Sequence, residues 1–246
     1  MSAINQEPAL LDRCAHLRGD DAALNAALKS GVILEIYKGR VRADEKSLAY
    51  RSLNEFLTSN GLTPGKPVDS VIASNTGNTG ESSATSGGFS NQFDGVDLFF
   101  LGISPATEKA YFAADVTRLA VAKSSKNIDD EFKGARDIAP ALSGIDIEVA
   151  LTGVALANWH HAHPRCAQCG QATRIDQAGF VRVCDSDGAQ HHPRTDGAVI
   201  VLVKDRSDRI LLGHNPNWPA KRFSTFAGFV EPGETFEQCV AREVRE

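Results

Sequence analysis

The chain has 246 residues, 42% of them hydrophobic, enough to bury a core as one large domain or two smaller ones. Its formal net charge of −5, with no basic stripe, argues against a constitutive nucleic-acid or membrane-surface binder and points to a small substrate. No apolar run approaches the roughly twenty residues of a membrane span, and the start (MSAINQEPALLDRC) lacks the apolar core of a signal peptide; the expectation is a cytoplasmic protein with no membrane partner.

Residues 1 to 160 read as one mixed α/β domain. Val32–Tyr37 is a strand-like run ended by Lys38-Gly39-Arg40, and the apolar segment near Leu48 to Leu57 has helical character. Residues 74–92 (SNTGNTGESSATSGGFSNQ) have almost nothing to bury and predict a mobile surface loop. That loop is placed inside the first domain, because Val96–Leu101 and Ala110–Ala114 follow it as two further strands that need a sheet to join. Residues 125–136 are charged and expected to be exposed. Val149 to His160 then has the apolar spacing of a helix that leads out of the domain.

The five cysteines are Cys14, Cys166, Cys169, Cys184 and Cys239, an odd number with three clustered, which in a reducing compartment suggests metal rather than disulfides. Cys166-Ala-Gln-Cys169 is a C-x2-C knuckle, and Cys184 opens a second half-site, as in a zinc ribbon; the expected ribbon spans 161–195. Three cysteines stand where four are usual. The fourth ligand of a structural zinc would be Asp187, which has the second position of the x2 spacing, or His191.

Ala198–Val203 is a continuous apolar run suited to a strand buried on both faces. Asp205–Asp208 should turn the chain into Arg209–Leu212, and Lys221–Val230 should return as a strand. The last stretch reads as a glycine loop entering a helix. Thr235 with Gln238 is a capping-box pattern that starts the helix at about Phe236, and Phe236, Val240 and Val244 form an apolar stripe beside Cys239. Glu243 lies two turns along that face and Glu246 points to nearly the same side. Such convergent carboxylates need a divalent cation or the neighbouring Arg242 and Arg245.

Gly228, five residues, Glu234, seven residues, then Arg242-Glu243-Val244 and Glu246, resembles the Nudix box, with every position of the box that the chain reaches matched. A zinc knuckle directly before a PRTDGAVIVLV-type strand is similar to one branch of that family, the NADH pyrophosphatases or NAD(+) diphosphatases. The resemblance implies an α+β fold: an N-terminal mixed α/β domain, a small zinc ribbon, and over 196–246 an incomplete α/β/α Nudix sandwich. The box's last glutamate would follow Glu246, so the expectation is a truncated chain with weak activity and with apolar surface on the 198–203 strand left exposed.

The activity implied is metal-dependent hydrolysis of the pyrophosphate of NAD(H) to AMP and nicotinamide mononucleotide, together with removal of NAD caps from RNA. The alternative is a non-catalytic dinucleotide-binding or regulatory protein. By motif position, Glu243 and Glu246 would be the catalytic carboxylates and, with the Ala227 carbonyl, ligands of Mg2+ or Mn2+; Glu234 would be structural, held by Arg242, with Gly228 the box glycine. Phe229 would stack the nicotinamide ring, against the plainer reading of a core phenylalanine. His192 falls where the family has an aromatic residue touching substrate, against that of an exposed loop histidine. The family resemblance also implies a homodimer.

Overall fold

The computed structural model describes residues 9–63, 88–122, 128–142 and 144–246. By their contacts they separate into two compact units, Met1–Pro193 and Arg194–Glu246. The first unit contains, in order, α1 (Asp21–Ser30), β1 (Val32–Tyr37), β2 (Arg40–Arg42), β3 (Tyr50–Arg51), α2 (Leu53–Asn60), β4 (Asp97–Ile103), β5 (Ala110–Asp115), α3 (Thr117–Ala122), β6 (Phe132–Gly134), α4 (Ala135–Ile138), α5 (Ile145–Ala162), β7 (Thr173–Asp176), β8 (Val181–Cys184) and β9 (Gln190–His191). The second contains β10 (Ala198–Val201), β11 (Phe226–Phe229) and α6 (Phe236–Arg245). The class is α+β, and none of the described helices is long and apolar enough to cross a membrane.

The central sheet of the first unit runs β4-β5-β1-β2-β6, with β3 also paired to β1; β1 and β5 are parallel and the other pairs antiparallel. Both faces are covered, which is why its main strands read as continuous apolar runs. Leu98, Phe100 and Phe112 pack with Leu24 and Leu28 of α1 and Phe56 of α2, while Phe99, Leu101 and Ala113 pack with Val149, Leu156 and Ala157 of α5. The strands expected at 96–101 and 110–114 are thus neighbours in one sheet.

Three local expectations change in the structure. The segment 48–57 is not one helix: it gives β3 and then α2, because Ser52 accepts from the Glu55 N–H while Glu55 closes the capping box, fixing the helix start at Leu53. At the end of the Ser/Gly-rich segment, Phe89 is buried in the core within a short 3-10 turn; residues 74–87 lie outside the described residues. In the charged stretch, Phe132 is fully buried on β6, and residues 125–127 lie outside the described residues.

The ribbon is a three-stranded antiparallel sheet, β7-β8-β9, with Arg165 bridging to Ala172 ahead of it. Arg182 of β8 ties it to α5. Buried at 7% exposure, Arg182 donates through Nη1 to His160 Nδ1 (2.9 Å), through Nε to Thr173 Oγ1 (2.6 Å) and through Nη2 to the Thr173 carbonyl (2.6 Å). His160 Nε2 in turn donates to the Gly179 carbonyl at 2.9 Å, and the ring stacks on Phe99 with centroids 5.0 Å apart. Because Arg182 can only donate, Nδ1 must accept and the imidazole is neutral. Burial pushes its pKa down to about 4; the Gly179 carbonyl opposes this, and the smaller effects of the Arg182 and His161 charges add to the lowering.

In the second unit β10 pairs antiparallel with β11 in the register Ala198↔Phe229 to Val201↔Phe226. The turn at 205–208 forms as expected: Asp205 N–H donates to the Arg209 carbonyl and Leu211 N–H to Val203. The 198–203 run differs from a strand buried on both faces. Its ladder ends at Val201 and Val199 alone is buried, whereas Ile200 is 74% exposed and Leu202 55%. Alternation along β10 sends Val199 inward and Ile200 to the opposite, open face.

Candidate functional site

Helix α6 starts at Phe236, as the capping box predicts: Thr235 Oγ1 accepts from the Gln238 N–H and the Gln238 side chain accepts from the Thr235 N–H. The face it turns inward is not the expected apolar stripe. Phe236 and Val244 are 59% and 48% exposed, and the one fully buried side chain is Cys239. Cys239, Arg242, Glu243 and Glu246 follow the i, i+3, i+4, i+7 spacing of one helical face. The charged residues on it are compensated by each other, so the anomaly at Glu243 reflects a polar face rather than a fault in an apolar one.

Arg242 is the centre of this face. Its Nε and Nη2 each meet one oxygen of Glu234 at 3.0 Å, a two-pronged pairing, and Nη2 also donates to the Phe229 carbonyl at 2.9 Å. Its Nη1 donates to Glu243 Oε1 at 2.7 Å and to Glu246 Oε1 at 3.3 Å. Arg242 Nη, backed by a second bond from the Glu231 N–H to Glu234, holds the Glu234 carboxyl down at about 2. Glu234 and Glu243 side chains are 14% and 17% exposed, Glu246 64%. Glu243 packs against Gly228 of β11 so closely that a Cβ there would overlap its carboxylate. The Cys239 thiol points at the Phe229 carbonyl, 3.4 Å away, and burial raises its pKa.

The structure therefore brings Gly228, Glu234, Arg242, Glu243 and Glu246 together. Ala227 lies beside them on β11, opposite Ile200. Phe229 is 69% exposed and so is not a core phenylalanine, and His192 is exposed in the first unit. The two carboxylates that face one guanidinium nitrogen converge on a single positive charge, the environment that a divalent cation also requires. Arg182 and His160 were missed by sequence reasoning: an isolated arginine in Val-Arg-Val-Cys and a histidine at the end of an apolar helix carry no local signal of a partner 22 residues away.

The ribbon offers a separate centre. Among the described residues, Cys166, Cys169, Cys184 and Asp187 form the group able to hold a metal, with one ligand atom from each lying within 4.8 Å of all the others. Three sulfurs and a carboxylate oxygen at that spacing fit a tetrahedral zinc. All five cysteines are free thiols. The Asp187 carboxyl lies well below the ordinary carboxylate range because the Ala189 N–H, 2.9 Å from Oδ1, and then the surrounding thiols hydrogen-bond its charged form.

Residues 193–246 match the NUDIX domain family and residues 161–191 the NADH pyrophosphatase zinc ribbon domain. The chain is 40% identical over 120 residues to the NAD-capped RNA hydrolase NudC of Mycobacterium tuberculosis (strain H37Rv), covering 49% of this chain and 38% of that protein. It is 43% identical over 91 residues to NudC of Stutzerimonas stutzeri, 37% of this chain and 33% of that one. With the human mitochondrial NAD(P)H pyrophosphatase NUDT13 it shares 32% identity over 159 residues, 61% of this chain and 45% of the human protein. The alignments thus span less than half the length of each of these relatives. The Nudix-box residues assembled between β11 and α6 lie in the segment that matches the NUDIX domain, and the converging ligand atoms of the ribbon lie in the segment that matches the NADH pyrophosphatase zinc ribbon domain.

Proposed function

We propose that the protein hydrolyses the pyrophosphate bond of NAD(H) to AMP and nicotinamide mononucleotide, and removes NAD caps from RNA by the same cleavage. The observation that carries this reading is the convergence of Glu243 and Glu246 on one nitrogen of Arg242, at a helix fixed against its strand by Glu234 and the Phe229 carbonyl. The names of the relatives, which act on NAD-capped RNA or NAD(P)H, support the substrate class.

Glu243, Glu246 and the Ala227 carbonyl would hold Mg2+ or Mn2+, which supplies charge neutralisation at the pyrophosphate oxygens. This chain's own residues do the positioning. Arg242 fixes the orientation of all three glutamates, Gly228 leaves room for Glu243 against the strand, and exposed Phe229 presents a ring face to the nicotinamide. His192 is the proposed second substrate contact. Five free thiols suit the reducing cytoplasm, and a homodimer is the assembly proposed.

Incubating the purified protein with NADH and each metal, then separating the products, tests this directly. AMP and nicotinamide mononucleotide should appear only with metal and be lost in Glu243→Gln. NADH binding without any cleavage would instead support a dinucleotide-binding protein.

A further inference from the structure

A cavity of about 500 Å3 lies wholly within the first unit, where the loop entering α1 and the short turn Phe89–Asn91 face β7 and the turn Gln177–Gly179 that follows it. That volume is in the range of small-molecule sites. The charged groups of its lining are Arg18, Asp21, Arg174, Asp176 and Asp185. Arg174 engages two of the aspartates, donating through Nε to Asp185 (2.9 Å) and through Nη1 to Asp176. Arg18, just before α1, and Asp21, its first residue, are left over. Neither side chain makes an ion pair or hydrogen bond to another described residue, so a cation and a carboxylate stand unpaired on one cavity wall.

Arg18 is held in place without being neutralised. Its guanidinium carbon lies 3.5 Å from the centre of the Phe180 ring, and its Nε is buried with no acceptor among the described residues. Burial, and then the charge of Arg13, lower its pKa from the ordinary arginine value, as expected of a cation that lacks a counter-ion. Ser90, itself buried, and Asn91 line the same cavity, and their hydroxyl and amide make no hydrogen bond to another described residue. On the facing wall, Gln177 and Ala178 have φ of +47° and +49°. Two successive non-glycine residues in the left-handed region are an outlier of the kind that gathers at binding sites.

We propose that this cavity binds a phosphorylated ribose, with the phosphate on Arg18, Ser90 and Asn91 and the ribose hydroxyls donating to Asp21. A phosphate has enough free oxygens to accept from a guanidinium, a hydroxyl and an amide together, which the two oxygens of a carboxylate do less well. Asp21 can only accept, and vicinal hydroxyls are the donors that a sugar brings. With three aspartates around it, a bare anion is disfavoured, so the ribose is needed as well as the phosphate. AMP and nicotinamide mononucleotide belong to this class; that they would be made by the protein itself rests on the pyrophosphatase reading, whereas the site does not.

Calorimetric titration of the full-length zinc-loaded protein with AMP and with ribose phosphate, in the absence of Mg2+ and Mn2+, tests the proposal. Both should bind, and inorganic phosphate and adenosine far more weakly. Arg18→Gln should weaken both ligands by about tenfold or more, the loss of a charge-assisted contact. Asp21→Ala, a change at an exposed helix start, should weaken them several-fold and leave inorganic phosphate unaffected, which keeps the test open if Arg18→Gln does not fold. Glu243→Gln should leave this binding intact, so that absence of NADH cleavage by the parent would sink the pyrophosphatase reading alone. AMP binding that is lost in Glu243→Gln but kept in Arg18→Gln or Asp21→Ala, AMP binding without ribose phosphate binding, or no binding of either ligand would each overturn the assignment.

Discussion

The carboxylate of Glu243 fills the space that a side chain on Gly228 would need, so strand β11 and helix α6 meet at a point where one residue must be glycine for the other to face inward. Gly228→Ala should therefore displace the end of the flexible Glu243 side chain rather than unfold the unit. The cost in stability should be on the order of 1 kcal/mol, at the low end for an overpacked contact. A catalytic carboxylate moved by about 1 Å commonly lowers the rate about 100-fold, so activity should fall far more than the denaturant midpoint. Measuring both on one preparation separates the two effects.

Arg242 has a second experimental signature. Its pairing depresses the Glu234 pKa from 4.5 in the ordinary glutamate to about 2, so the unfolded chain takes up the proton first as pH falls. The contribution of this pair to stability is present above about pH 4.5 and is lost as pH drops through about 2. Arg242→Lys, which cannot make the two-pronged contact, should reduce the difference between the midpoints at pH 5 and pH 3. Parallel urea curves for the variant and the parent at those two pH values measure the loss.

Local chemistry was legible in the sequence; long-range compensation was not. The start of α6 at Phe236 could be read because Thr235 and Gln238 settle it between themselves, and β1 because Val32 to Tyr37 is a run bounded by a turn. The ribbon's equal turns were legible as spacing. The inward face of α6 was not, because apolar count favoured Phe236, Val240 and Val244, whereas what packs is a cysteine with an arginine already paired to three carboxylates. Glu35 shows the same limit: it is fully buried in β1, satisfied by Arg42, Arg51 and Asn60, which arrive from β2, β3 and α2.

His160 predicts an acid-sensitive link between α5 and the ribbon. Its pKa of about 4 in the fold, against 6.5 when exposed, means that the unfolded state binds the proton more tightly. Stability tied to the neutral ring is complete above about pH 6.5 and declines as pH falls towards 4, by on the order of 3 kcal/mol in all. Protonation would also put a donor on Nδ1 facing Arg182 Nη1, which cannot accept. His160→Gln should be less stable than the parent at pH 7 and flatter between pH 6.5 and 4. A pH series of unfolding curves checks both, and a parent with no slope in that window would rule the link out.

Phe229 separates packing from recognition. With 69% of the residue exposed, removing its ring should change stability by less than about 0.5 kcal/mol, as for other surface positions. If the ring stacks on nicotinamide, Phe229→Ala should cost about 0.5–1.5 kcal/mol of that contact, a rise of roughly two- to tenfold in KM for NADH. Because stacking holds substrate and transition state alike, kcat should change little. Phe229→Tyr, which keeps the ring, should restore KM. An unchanged KM in Phe229→Ala, with the fold intact, would remove Phe229 from the substrate site and leave the nicotinamide to another surface.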